Sequence, residues 1–296
     1  MTDATAVATT AGPQRPGAAR RILRFPITWT VIGVALIVLV DALATGIGAS
    51  FGAAGTAIGA LIGGAAAVPI YLFAMRTVGG RAVPELSRHQ LGRNIGIGLA
   101  IGTAFIVVSV AAVALLGGFT IVWHPVGGMS VVFVGLAVNL GGAIVEELVF
   151  RGLILQAILA SFRGSVTGRI VAVAVTAALF GGAHMLNPGA TVWTGTCIAI
   201  EAGVLLAVAF FWRGNLWLVI AIHFAWNFIE GLLGIAVSGH RDPGLFFTTA
   251  RGPLLLTGGT FGVEASLIPV LLSAAMATVM VLAARKRAAR TGAERG

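Results

Sequence analysis

Residues 131–151 read VVFVGLAVNLGGAIVEELVFR, an almost continuous apolar run that ends in two adjacent acids and an arginine. Together with its flanking residues, such a run has the length of a helix that crosses a lipid bilayer. A charge at bilayer depth costs about 3 kcal/mol even on lenient insertion scales, so intramembrane acids usually face a protein interior or a water-filled cavity. Glu146 and Glu147 are therefore the first place to look for chemistry or transport.

The whole chain has the composition of a polytopic membrane protein. Hydrophobic residues make up 58% of it and charged residues only 10%, and the mean hydropathy is +1.00. Apolar stretches of about 20 residues predict an all-α transmembrane bundle of about eight helices, which forms one membrane-embedded domain over residues 25–284. The predicted spans are 27–49, 51–75, 95–117, 130–155, 168–187, 193–212, 214–236 and 264–284.

The distribution of arginine and lysine predicts the orientation, because short cytoplasmic loops carry an excess of both. The pattern favours two cytoplasmic termini, with residues 1–24 as a disordered tail and residues 285–296 as a basic tail. Only Arg241 and Arg251 fall on the opposite side, and the net charge of +9 then requires no nucleic acid partner. The basic residues on the predicted cytoplasmic side are Arg15, Arg20, Arg21, Arg24, Arg76, Arg81, Arg88, Arg93, Arg163, Arg169, Arg213, Arg285, Lys286, Arg287, Arg290 and Arg295.

Two further features bear on packing and compartment. Gly55, Gly59 and Gly63 recur at four-residue intervals, a spacing of small residues that lets helices approach closely in lipid. Cys197 is the only cysteine, so the chain has no intramolecular disulfide and no thiolate metal cluster. The alanine-rich, glycine-rich and lysine-poor composition indicates a high-GC bacterium, and therefore the cell membrane.

Helix geometry separates the two adjacent acids. At about 100° per residue, Glu147 and Arg151 project within about 40° of each other, whereas Glu146 points about 100° away from Glu147. Glu147 is therefore expected to pair with Arg151 while Glu146 stays free. The alternative is a purely structural ion pair with a second acid that reaches toward the cytoplasmic interface.

Later spans bring further polar groups into apolar helices. His184 ends the stretch Phe180-Gly181-Gly182-Ala183-His184, and His223 lies one turn before Asn227. Asn139 lies seven residues before Glu146, on nearly the same helix face. An isolated intramembrane histidine often serves only helix packing. For Asp41, Glu201 and Glu230 the interpretation is structural or related to hydration, because no partner spacing accompanies them.

The depth of these groups follows from the turns. If Gly164 marks the turn between spans four and five, Glu146 and His184 both lie roughly 27 to 30 Å from it, at about 1.5 Å per residue. His223 lies only about 14 Å from its own turn at Gly214. The groups match in depth only if the hairpin of spans four and five extends about 10 Å further into the cytoplasm.

Three segments together resemble the CPBP or Abi family of intramembrane proteases, which includes the type II prenyl-protein (CAAX) endopeptidase. The family has a Glu-Glu-x-x-x-Arg segment, a Phe-x-x-x-His segment and a His-x-x-x-Asn or Asp segment, in that order. They stand here as Glu146 to Arg151, Phe180 to His184, and His223 to Asn227. The resemblance covers spans four to seven, which would form the catalytic core.

The resemblance implies hydrolysis of a peptide bond in a membrane-associated protein or peptide. Glu146 would act as general base, His184 would help to position the water, and His223 with Asn227 would stabilise the oxyanion, while Glu147 and Arg151 would hold geometry and balance charge. A carboxylate in a site with little water is a stronger base than in bulk water, and preorganised donors are most effective there.

Members of the family that the chain resembles have also been described as metalloproteases. A histidine with an amide one helical turn away indicates an oxyanion hole more than a set of metal ligands, so a mechanism without a cofactor is favoured, and zinc is the alternative. The chain has no His-Glu-x-x-His helix. Glu146, His184 and His223 would nevertheless supply three protein ligands and leave one open position, as in catalytic zinc sites.

Two other functions stay open. A proton-coupled or cation-coupled transporter could use Glu146, Glu201 and Glu230 as relays, although no internal repeat accompanies them. A catalytically silent immunity or scaffold protein could have kept the motifs. The sequence does not identify the substrate, although prenylated tails are unexpected in a bacterium.

Overall fold

The computed structural model describes residues 18–124 and 127–293. Within these ranges it confirms the predicted all-α bundle. Seven helices are long and apolar enough to cross a membrane, and an eighth is shorter. The eight helices are α1 (Pro26–Ala49), α2 (Gly52–Val78), α3 (Leu91–Leu115), α4 (Met129–Ser161), α5 (Val166–Leu186), α6 (Val192–Arg213), α7 (Leu216–Leu232) and α8 (Leu267–Ala293).

Helix α7 is shorter than the predicted span of residues 214–236. It has 17 residues, or about 26 Å at about 1.5 Å per residue, slightly less than the apolar thickness of a bilayer. It begins after Asn215, whose side chain accepts a hydrogen bond from the backbone N–H of Leu218. It ends just before Gly234, whose φ of 68° is a left-handed conformation that glycine adopts readily.

The ends of the helices lie on two opposite faces of the bundle. The first, here called the basic face, carries the connections 79–90, 162–165 and 214–215; on it the side chains of Asn215 and Trp217 donate to the carbonyls of Ser87 and Leu86. The second, here called the sheet face, carries residues 50–51, 116–124, 127–128, 187–191 and 233–266. On this face the side chain of Asn187 donates to the carbonyl of Ser238.

A two-stranded antiparallel ribbon on the sheet face was not predicted from the sequence. Strand β1 (Phe119–Trp123) pairs with β2 (Phe246–Ala250), and the ring of Trp123 lies 5.0 Å from that of Phe246. The ribbon ties the connection between α3 and α4 to the long connection between α7 and α8. Its two strands are too far apart in the sequence to be predicted as a hairpin.

The predicted glycine ridge packs α2 against α1. A Cβ added at Gly59 would overlap the carbonyl of Ala44 in α1, and one added at Gly63 would overlap Asp41. On the other side of α2, a Cβ at Gly64 would come within 2.9 Å of Gly141 in α4. The ridge thus brings α2 close to α1, and Gly64, which lies outside the ridge, brings α2 close to the helix that carries Glu146 and Glu147.

The predicted tails lie partly outside the described residues. Residues 1–17 and 294–296 are not described, and Ala18–Leu23 form a short helix that precedes α1. At the other end, α8 continues through the basic residues after position 284.

Candidate active site

A buried ion pair links Glu147 to Arg151, as predicted. The Oε1 atom of Glu147 accepts hydrogen bonds from Nη1 of Arg151 at 2.8 Å and from Nδ1 of His223 at 2.9 Å. The side chains of Glu147 and Arg151 are fully buried, and that of His223 is 5% exposed. One carboxylate oxygen therefore joins α4 to α7 and fixes the ring of His223.

The guanidinium of Arg151 extends this network to α5 and α6. Helix α4 widens to π-helical winding over Leu148–Ile154, and α6 does so over Ala199–Leu205. Nη2 of Arg151 donates to the carbonyls of Ala202 and Gly203 in the second of these segments. The guanidinium carbon also lies 4.9 Å from the ring centre of Phe180 in α5. Such π-helical segments are rare and are often found at functional sites, where they free backbone carbonyls for other partners.

Glu146 points away from this ion pair. Its side chain is 36% exposed, and its Oε2 atom lies 3.8 Å from Nε2 of His223. That atom is buried and has no hydrogen-bond partner in the described part of the chain. A separation of 3.8 Å exceeds a direct hydrogen bond, so the two groups are neighbours that are not hydrogen-bonded to each other. The two adjacent acids thus have the separate environments that helix geometry predicts.

His184 lies at the sheet-face end of α5, in the short 3₁₀ turn His184–Leu186. Its Nδ1–H donates to the carbonyl of Phe180 at 2.8 Å, and the two rings are stacked with centres 4.7 Å apart. The Phe180 ring also contacts that of His223, at 6.1 Å between centres. Because Nδ1 is the donor, the Nε2 atom of neutral His184 is left as an acceptor.

A cavity of about 890 Å³ connects these groups. Glu146, His184 and Asn227 line it, as does Asn139, whose Nδ2 atom donates to the carbonyl of Gly135 at 2.7 Å. The Oδ1 atom of Asn227 is buried and accepts no hydrogen bond from any described residue. The volume falls in the range of sites that enclose small molecules or peptide segments.

The structure thus brings the predicted residues together in two layers. Glu146, His184 and Asn227 line the cavity, whereas Glu147, Arg151 and His223 form the network behind Glu146. The depth condition is also met, since His223 of α7 lies within 3.8 Å of Glu146 of α4.

The sequence analysis did not find the loop that forms the rim of the cavity. Asn187 and Ser238 line the cavity, and Glu264 accepts hydrogen bonds at one oxygen from the backbone N–H and the hydroxyl of Ser238, at 2.6 and 2.8 Å. Asn187 could have been predicted, because it lies three residues after His184, about one helical turn further along the chain. Glu264 could not, because its partner is 26 positions away.

The remaining intramembrane acids have different environments. Glu230 accepts hydrogen bonds from Nε1 of Trp226 and from the backbone N–H of Val263, both at 3.1 Å, which agrees with the structural interpretation. Asp41 lies against Gly63 in the packed interface of α1 and α2. Both carboxylate oxygens of Glu201 are buried without a hydrogen-bond partner in the described residues.

The suggested zinc ligands do not converge on one point. Within residues 18–124 and 127–293, no group of three or more His, Cys, Asp or Glu side chains is arranged to hold a metal ion. The Nε2 atom of His223 and Oε2 of Glu146 face each other, but His184 does not complete a three-ligand set with them. The arrangement of these side chains in the described structure therefore does not fit a zinc site.

The fold and this network define a class of multi-pass membrane proteins with a buried acid and histidine site at the foot of a cavity. Residues 128–229 match the family model of the type II CAAX prenyl endopeptidase Rce1-like proteins. The matched segment runs from the start of α4 almost to the end of α7 and includes the three motifs. It confirms the resemblance to the CAAX protease family, whose members are membrane peptidases. No curated protein and no solved structure matches the chain.

Proposed function

We propose that this protein is an intramembrane endopeptidase in which Glu146 is the general base. The observation that supports the proposal best is the partly exposed side chain of Glu146, which lines the cavity while its Oε2 atom lies 3.8 Å from a histidine nitrogen and has no hydrogen-bond partner in the described structure. A structural ion pair alone would require only Glu147 and Arg151. The third acid-to-base contact, between Glu147 and His223, orients that histidine toward Glu146.

In the proposed reaction, Glu146 takes a proton from a water molecule, and the water oxygen attacks the carbonyl carbon of the scissile peptide bond. His184 accepts a hydrogen bond from the same water at Nε2, because its Nδ1–H is committed to the carbonyl of Phe180. Glu146 then gives the proton to the leaving amine nitrogen as the C–N bond breaks. A carboxylate held in this way typically contributes a factor of about 10²–10⁴ to the rate.

Asn227 and His223 are proposed to stabilise the oxyanion. Asn227 lines the cavity and supplies an amide donor. Glu147 holds the Nδ1 side of His223, so that Nε2 faces Oε2 of Glu146 at 3.8 Å. The two glutamates carry two negative charges, and Arg151 with a protonated His223 carries two positive charges. Protonated His223 therefore leaves the site without a net buried charge. Preorganised donors of this kind are commonly the largest contribution to acyl-transfer catalysis.

Activity of purified variants on a library of membrane peptides tests the proposal. Glu146→Ala, His184→Ala and His223→Ala should each lose cleavage, and full activity in all three would refute the proposal. Glu201→Gln is the matched control, because it removes a buried intramembrane acid whose carboxylate has no hydrogen bond in the described structure. Substrate flux in proteoliposomes that depends on Glu201 but not on His184 would favour the transporter instead.

The proposed chemistry requires no cofactor, and direct measurement of bound metal tests this. Activity should not vary with the zinc content of separate preparations. Inhibition by a chelator alone is not decisive, because a chelator can act on the peptide or on the stability of the protein. An activity proportional to zinc occupancy, lost together with zinc in His184→Ala, would contradict a metal-free mechanism.

A further inference from the structure

The residues that line the cavity reach the sheet face of the bundle and not the basic face. The rim of the cavity comes from Ala53 in the first turn of α2, Ser130 in the first turn of α4, Asn187 after α5, and residues 237–243 in the connection between α7 and α8. All of these lie at the sheet face. None of the residues that line it belongs to the connections 79–90, 162–165 or 214–215 of the basic face.

Hydrogen bonds hold the rim in place. Ser238 is bound from two sides, by Asn187 through its carbonyl and by Glu264 through its N–H and hydroxyl. Arg241, at the same rim, donates to the carbonyls of Gly234 and Thr248. The opening is therefore a formed part of the fold.

The charge distribution assigns the two faces to the two sides of a membrane. Arg241 and Arg251 are the basic residues of the sheet face within the described structure, whereas the described basic residues at the other helix ends and connections are Arg21, Arg24, Arg76, Arg81, Arg88, Arg93, Arg163, Arg169, Arg213, Arg285, Lys286 and Arg287. Positively charged loops stay on the cytoplasmic side during insertion. The basic face is thus cytoplasmic and the sheet face is not.

From these two observations we infer that the cavity opens away from the cytoplasm, so that the substrates are peptide segments of translocated or membrane-anchored proteins exposed on the extracytoplasmic side. This inference rests on the proposed endopeptidase function. A prenylated carboxy-terminal tail of a cytoplasmic protein would reach the membrane at the basic face, on the wrong side of the bundle. The substrate class therefore differs from the one named by the matching family.

Cysteine labelling tests the direction of the cavity without any need for activity. In a Cys197→Ser background, single cysteines replace Ser130 at the cavity rim or Ser87 on the basic face, both exposed. Intact cells are treated with a membrane-impermeant maleimide. Ser130→Cys should be labelled in intact cells, and Ser87→Cys only after permeabilisation; the opposite pattern overturns the inference. Ser50→Cys and Thr167→Cys, also exposed and on the same respective faces, serve as a second pair if the first does not fold.

The substrate class is tested by comparing new peptide termini in membranes of cells that express the wild-type protein or Glu146→Gln. Termini that depend on Glu146 should map to extracytoplasmic segments. If they map to cytoplasmic segments, the substrate class is wrong while the endopeptidase function stands. If no termini depend on Glu146, the endopeptidase function fails and the substrate class with it, and the labelling result still reports the direction of the cavity.

Discussion

The Nδ1 atom of His223 lies 2.9 Å from the Oε1 atom of Glu147, in a contact that spans 76 positions of the sequence. This hydrogen bond determines which nitrogen of the ring faces Glu146. The two adjacent glutamates thus have different surroundings: Glu147 binds a histidine and an arginine, whereas Glu146 lines the cavity and its Oε2 atom has no hydrogen-bond partner in the described structure.

Replacement of Glu146 by glutamine should abolish cleavage while leaving the fold intact. The amide cannot accept the proton of the water, so a loss of about 10²–10⁴-fold in kcat is expected. Thermal unfolding in detergent should be unchanged, because the buried Oε2 atom of Glu146 has no hydrogen-bond partner in the described structure. Rates are to be compared with those of Glu201→Gln, and equal losses in the two variants would contradict the assigned role.

Removal of Glu147 should destabilise the protein through the charge that it leaves behind. Glu147→Ala leaves the buried guanidinium of Arg151 without its carboxylate partner. Breaking a buried ion pair in this way typically lowers the free energy of unfolding by about 3–5 kcal/mol. The double variant Glu147→Ala/Arg151→Met should recover much of the thermal stability, because no uncompensated charge is left. It should stay inactive, since His223 has still lost its acceptor. A double variant that regains activity would show that His223 needs no positioning by Glu147.

Asn227→Leu should lower kcat without lowering stability. Loss of one oxyanion donor typically costs about 10²–10³-fold in rate. The Oδ1 atom of Asn227 accepts no hydrogen bond from any residue that the structure describes, so no such bond is lost at that atom. Asn139→Leu is the comparison, because that amide is bound to the carbonyl of Gly135 in its own helix. Steady-state kinetics should show a much smaller effect for Asn139→Leu, and similar effects at both positions would argue against an oxyanion role for Asn227.

Glu264→Ala should loosen the rim of the cavity. The substitution leaves the N–H and the hydroxyl of Ser238 without their acceptor, at a cost of about 1–3 kcal/mol for each buried group. Amide hydrogen exchange should become faster in residues 234–243. Glu264→Gln keeps an oxygen acceptor and should show a smaller change, so unchanged exchange in the alanine variant would refute this role.

Gly141→Ala should destabilise the bundle, whereas Gly142→Ala should not. A Cβ at Gly141 would overlap the carbonyl of Ala60 in α2, while one at Gly142 would meet no atom within 4 Å. Overpacking of this kind costs about 1–3 kcal/mol, and an unhindered alanine in a helix gains about 0.5–1 kcal/mol over glycine. The thermal midpoints of the two neighbouring variants, measured in the same detergent, provide the check.

Much of the helix arrangement along the chain was predictable because it depends on local properties of the sequence. The predicted eighth span began at residue 264, but Val263–Ala265 form a short separate turn, and α8 starts at Leu267. Helix α7 is shorter than its apolar run, because the chain turns at Gly234. Apolar length alone does not show where a backbone leaves its helix when both sides of the turn are hydrophobic.

The sequence by itself determined the class of protein, the order of the three polar segments and the pairing of Glu147 with Arg151, because hydropathy and helical spacing act over a few residues. Only the tertiary structure determined that His223 binds Glu147 and that carbonyls in the π-helical segment of α6 accept hydrogen bonds from Arg151. It also determined that residues 237–243 form part of the rim of the cavity. These contacts depend on how far each helix is shifted and rotated against its neighbours. That arrangement results from the packing of all the helices together, so no single segment encodes it.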